Sequence, residues 1–180
     1  MPQTSVFCIV RSREQAEQIV ENLEKEEFNH EAISLLMLDQ QVGRSVARAR
    51  VGHNHQREMR AGPGRLSGLK RFTVADFGTC LTAGPVALAL AAAADSSSSG
   101  VVRVLMSMGV AQYAARRYED KVGEGNIFLG VHAEDGDLAA IALDIFETEL
   151  AEHISTAAET ASESRRGQSQ NAPFFDNQSN

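Results

Sequence analysis

A histidine close to carboxylates is the one grouping in this chain with the makings of acid–base chemistry: His132, Glu134, Asp135 and Asp137 fall within six residues. A carboxylate beside an imidazole tunes its pKa towards the working range of a general acid or base. The same Asp135 and Asp137 also suit the cap and first turn of a helix, where negative charge is favoured. With no nucleophile or cofactor motif beside them, capping is the expected role and no catalytic residue is assigned. An enzymatic reading would need a deep site on which His132 and Glu134 converge. His53 and His55 alternate, so a strand would put both imidazoles on one face as two metal ligands. Glu58 is the sole carboxylate near them and structural zinc takes four ligands, so a solvated loop and no metal site are expected. Cys8 and Cys80 stand in no CxxC or Cys/His spacing. Cys8 lies inside the apolar run Val6–Val10 and is expected as a buried, reduced thiol. There is no GxxxxGK[ST], no GxGxxG between strand and helix and no GxSxG. The expectation is a protein that is not an enzyme and carries no cofactor.

Binding chemistry has one charge cluster to offer. Residues 1–40 hold three basic and eight acidic groups, residues 41–71 eight and one, and residues 72–180 six and fifteen. The middle stretch is therefore +7 inside a chain of net charge −7. Arg44, Arg48, Arg50, Arg57, Arg60, Arg65, Lys70 and Arg71 form a candidate polyanion contact, whose affinity would fall steeply with salt. The acidic remainder of the same or a neighbouring subunit is an equally good partner for it. Tyr113, Arg116, Arg117 and Tyr118 combine cation and ring, but on a predicted helix rather than an exposed sheet, so an RNA-stacking role is not expected. Tyr118 falls on that helix's apolar stripe and should pack with its hydroxyl near the rim.

The elements that must carry these groups read as two βαβ units. Ser5–Val10 is an apolar, β-branched run suited to a strand buried on both faces. Ser12 can cap the following helix, with Gln15 in the capping-box position. Ala16, Ile19, Val20 and Leu23 then recur at helical spacing, Phe28-Asn29 closes the helix, and Ala32–Leu38 is a second strand. The pattern returns at Asn126–His132, in the stripe Leu138, Ile141, Ala142, Ile145, Leu150, and at His153–Thr156. Two such units predict an α/β chain of the α+β kind: a ferredoxin-like βαβ-βαβ sandwich with both helices on one sheet face. It forms a single domain over 1–156, with units at 1–40 and 126–156 and a long helical and loop insertion at 41–125. Within the insertion, Gln41–Arg71 reads as a loop, Leu81–Ala94 as an apolar run broken at Gly84-Pro85, and Val101–Met108 and Val110–Val122 as helices. Residues 157–180 read as a disordered tail in which Phe174-Phe175 is an inert pair.

Several of these stretches resemble the bacterial low-temperature-induced or general stress protein family. They are Ser12-Arg-Glu-Gln-Ala-Glu-Gln-Ile-Val20, Ala32–Leu36, Met108–Ile127, Gly130–Asp135 and Glu152–Thr156, with Tyr118 to Asn126 the most specific part. Members carry a long Gly- and Ala-rich apolar segment in the middle. Here only Ala83–Leu90 matches it, and an Arg-rich stretch stands where the glycines would be. The resemblance implies a stress-associated protein of undefined biochemistry and supplies no catalytic residues.

The chain begins without a charged region followed by an apolar stretch, which predicts no signal peptide and a cytoplasmic protein. Leu81–Ala94 is fourteen residues, short of the ~20 a membrane span needs, so membrane association is not expected. The expected function is stress response through self-association, as a homo-oligomer, or through a protein partner. The alternatives are nucleic-acid or acidic-ligand binding through 44–71, or membrane association inherited from the family's apolar segment.

Overall fold

The computed structural model describes residues 4–39, 69–74, 77–93 and 100–157. The first strand, β1 (Thr4–Val10), is buried from Ser5 onward, as an uninterrupted apolar run requires. Ser12 caps α1 (Arg13–Lys25) by accepting the amide of Gln15 at 3.2 Å. The Gln15 side chain departs from the expected box. Its Oε1 accepts from Arg11 N at 3.0 Å, and its Nε2 donates to the Glu149 carbonyl at 2.7 Å. A 3-10 turn at His30–Ala32 leads into β2 (Ile33–Leu38).

The middle of the chain enters the same sheet. β3 (Lys70–Val74) and β4 (Gly78–Ala83) form an antiparallel hairpin, and β4 pairs with β2. Three helices follow: α2 (Pro85–Ala93), α3 (Val101–Ser107) and α4 (Gln112–Gly123). The C-terminal unit is β5 (Ile127–Ala133), α5 (Gly136–Thr148) and β6 (Glu152–Thr156). The described strands make one open sheet in the order β3-β4-β2-β5-β1-β6, antiparallel throughout. The two terminal units therefore share one sheet, with β5 paired to β1 on one side and β2 on the other.

The expectation of one covered face is corrected. Val6, Cys8, Val10, Leu35, Leu129 and Val131 face α1 and α5 in one core. Phe7, Ile9, Leu36, Cys80 and Phe128 face α2, α3 and α4 in a second. A strand whose alternate residues are both apolar needs cover on both sides, and the helices of the middle segment supply it. The described residues of the middle segment, from Leu69 to Val122, thus contribute to the core rather than hang from it. The apolar run from Leu81 changes from strand to helix at Gly84-Pro85. Gly84 has φ +68, and a Cβ there would lie 1.9 Å from the Ile33 carbonyl oxygen, so only glycine fits the bend. Pro85 takes the first helical position, and Ser34 Oγ accepts the Val86 amide at 3.3 Å. On β5, the rings of Phe7 and Phe128 stack at 5.9 Å, and Gly130 leaves room for them: a Cβ would meet Phe7 at 2.9 Å.

Among the described residues, no helix is long and apolar enough to cross a membrane. The tail residues from 158 on, including Phe174-Phe175, lie outside the described residues, as do Asp95–Ser99.

Candidate functional site

The His132 cluster is dispersed by the strand that carries it. His132 sits near the end of β5 with Nδ1 2.8 Å from Ser5 Oγ on β1, its register partner, and its ring edge-on to Phe7. Its Nε2 is buried and meets no hydrogen-bonding group among the described residues. Burial holds the imidazole below its ordinary pKa. Glu134 and Asp137 are exposed, while Asp135 caps α5 by accepting the Leu138 amide at 2.9 Å. Alternation along β5 sends His132 into the second core and the carboxylates into the turn beyond it, so the four do not converge. Ser5, 4% exposed, is likewise out of reach of a substrate.

Tyr118 fills the second core at 1% exposure, with its ring edge-on to Phe128 at 5.2 Å. Its hydroxyl does reach the rim, as its place on the stripe predicts. It donates to the His153 carbonyl at 2.7 Å and lies 2.5 Å from Ser155 Oγ. One phenolic proton serves one acceptor, so Ser155 is the donor in the second contact. Burial drives the phenol far above its usual pKa, and the Ser155 bond offsets this only in part. β6, which carries both of these partners, is bulged against β1: Phe7 faces Ser155 and Ile9 faces Glu152, so His153 and Ile154 both stand opposite Cys8. His153 has φ +53, a conformation costly for a side-chain-bearing residue, and its carbonyl is the one Tyr118 holds. This arrangement is a clamp on an edge strand.

Cys8 and Cys80 are buried and free. Burial raises both thiols, Cys80 to about 12, which keeps them protonated and unreactive.

Of the eight basic residues, Arg44, Arg48, Arg50, Arg57, Arg60 and Arg65 lie outside the described residues, as do His53, His55 and Glu58. Arg71 is turned inward: its guanidinium lies 2.6 Å from the carboxylate of Asp39, whose side chain is 3% exposed. Lys70 is exposed. Arg116, Arg117 and Tyr113 stand on the outer side of α4. Among the described residues, no three His, Cys, Asp or Glu side chains are grouped so as to hold a metal ion.

Lys70 belongs to a feature that the sequence reading did not assemble. Where β4 ends and α2 begins there is an open groove of about 380 Å³, lined by Glu31, Lys70, Ala83, Gly84, Ala87 and Leu88. The sharp bend at Gly84 shapes it, because α2 leaves the sheet there. The floor is small and apolar. Leu88 is 67% exposed although every residue of α2 is apolar. Glu31 approaches from the turn before β2 and Lys70 from the start of β3, on strands separated by β4; the register sets Lys70 level with Leu36, five residues along from Glu31, so the two charges stand at opposite ends of the groove. Neither side chain forms an ion pair or hydrogen bond with a described residue. The groove can take an apolar side chain flanked by one positive and one negative charge. In the sequence its residues are spread over 58 positions, and only the Gly84-Pro85 break hints at a bend there.

No family model matches the chain, and comparison with curated proteins and with solved structures finds no similar protein.

Proposed function

We propose that the chain is a non-enzymatic stress-response module that works by self-association. On this reading the β2-β5-β1-β6 part of the sheet, with α1 and α5 on one face, is a ferredoxin-like scaffold; its strand order and the two helices on that face support this. The hairpin β3–β4 and helices α2–α4 are elaborations that cover its other face and create a contact surface. The observation that carries the proposal is Leu88, which stands 67% exposed on a wholly apolar helix above an open groove. An apolar side chain held in water beside an apolar recess is a feature of contact surfaces. The physiological half of the reading rests on the resemblance of Met108–Ile127 to general stress proteins noted in the sequence.

Static light scattering across a concentration series tests it. The mass should rise above the 19.4 kDa of one chain as concentration increases. A single mass of one chain at every concentration would reject self-association.

A further inference from the structure

We propose that the groove between Glu31 and Lys70 is the contact surface of a two-fold dimer, its occupant being Leu88 of a second copy of this chain. The inference rests on the self-association reading and names the surface that performs it. A two-fold contact is self-complementary: if one residue meets another across the axis, the second meets the first as well. The groove has that property. It carries one carboxylate and one ammonium among otherwise apolar lining residues. Rotation by half a turn about an axis midway between the two charges lays Lys70 of each chain over Glu31 of the other, and on this proposal each Leu88 enters the other chain's groove. The two charges have no partners among the described residues of their own chain, and each would find one across the axis.

A patch carrying only one sign of charge would repel its own copy. Here the signs cancel inside a chain that is −7 as a whole, so this is a surface on which two acidic molecules can meet without local repulsion. The groove by itself is smaller than a stable interface, which buries roughly 1,200–2,000 Å². The contact must therefore extend along the outer face of α2, where Ala92 is also exposed. The geometry differs from edge-to-edge sheet pairing. Antiparallel pairing of β3 with its copy would set Lys70 beside the far end of the partner's β3, away from Glu31.

Charge reversal at these two exposed positions decides the matter without touching the core. In sedimentation equilibrium, Lys70→Glu and Glu31→Lys should each weaken dimerisation about tenfold or more, since each replaces two attractive pairs by two repulsive ones. An equimolar mixture of the two variants should recover wild-type affinity, because both cross-axis pairs are rebuilt in the mixed dimer. The double variant Lys70→Glu/Glu31→Lys should recover it alone. A wild-type dimer indifferent to both single reversals would overturn the groove contact while leaving self-association intact, by way of a sheet edge. Single variants that weaken but do not complement in the mixture would overturn the pairing of Lys70 with Glu31. A strictly monomeric wild type would overturn the reading and the surface together, leaving the groove to a peptide of another protein.

Discussion

His132 enters the interior as a neutral ring. Its Nδ1 is satisfied by Ser5, but its Nε2 is buried with no partner among the described residues, and no charged neighbour contributes to its lowered pKa. Protonation would place a desolvated charge and an unanswered N–H beside Phe7. The folded state therefore binds this proton less readily than the unfolded chain, in which the imidazole titrates near 6.5. Stability from this site is complete above that value and is lost as pH falls below it towards the lowered folded pKa. Thermal melts between pH 7.5 and 5 should show a steeper loss for the wild type than for His132→Asn; parallel curves would remove His132 from the account. Tyr118→Phe should cost about 1–2 kcal/mol in denaturant titrations, since it strands the His153 carbonyl. It should also speed amide exchange along β6 more than along β1. The burial of Tyr118 and the cap at Asp135 were legible from spacing alone. The partners were not: Ser5 lies 127 positions from His132, and only strand register brings them together.

Four helices end alike, and the exceptions among them are informative. After α1, α3, α4 and α5 the chain passes through a left-handed residue, and the next amide returns to a carbonyl five positions back. Gly109 and Gly125 fill that position after α3 and α4, but Glu27 and Leu150 fill it after α1 and α5. A side-chain-bearing residue there carries a penalty that glycine does not. Leu150 is 80% exposed, so little packing offsets it. Leu150→Gly should therefore stabilise the fold by about 0.5–1 kcal/mol in thermal or denaturant melts, against the usual trend for glycine. Gly84→Ala should do the opposite and cost about 3 kcal/mol or more, because its Cβ would overlap the Ile33 carbonyl. The same equilibrium melts check both. The elements of the two terminal units follow the apolar periodicity closely. The hairpin β3–β4 did not show in it, for two physical reasons. Its first strand, Lys-Arg-Phe-Thr-Val, is the end of a basic stretch whose charge dominates the pattern. From Cys80 on, its second strand has only Thr82 as a polar residue before α2, so strand and helix merge into one largely apolar run.

At the scale of the molecule, one sheet is packed between two helical layers, and the second layer comes from the middle of the chain. Reading the middle as an addition follows from its composition, since an Arg-rich opening and an Ala-rich run do not announce a core. What the pattern did contain was the demand for it: Phe7, Ile9 and Phe128 are apolar on the face that α1 and α5 leave bare. Completing that layer places α2 at the sheet's β3 side and leaves Leu88 outside, which is where the functional claim rests. Methyl NMR over a dilution series tests that claim most directly. The Leu88 methyl signals should shift with concentration while those of Leu150, more open to solvent but off the groove, stay fixed. Leu88 signals that hold still, or Leu150 signals that move with them, would contradict it.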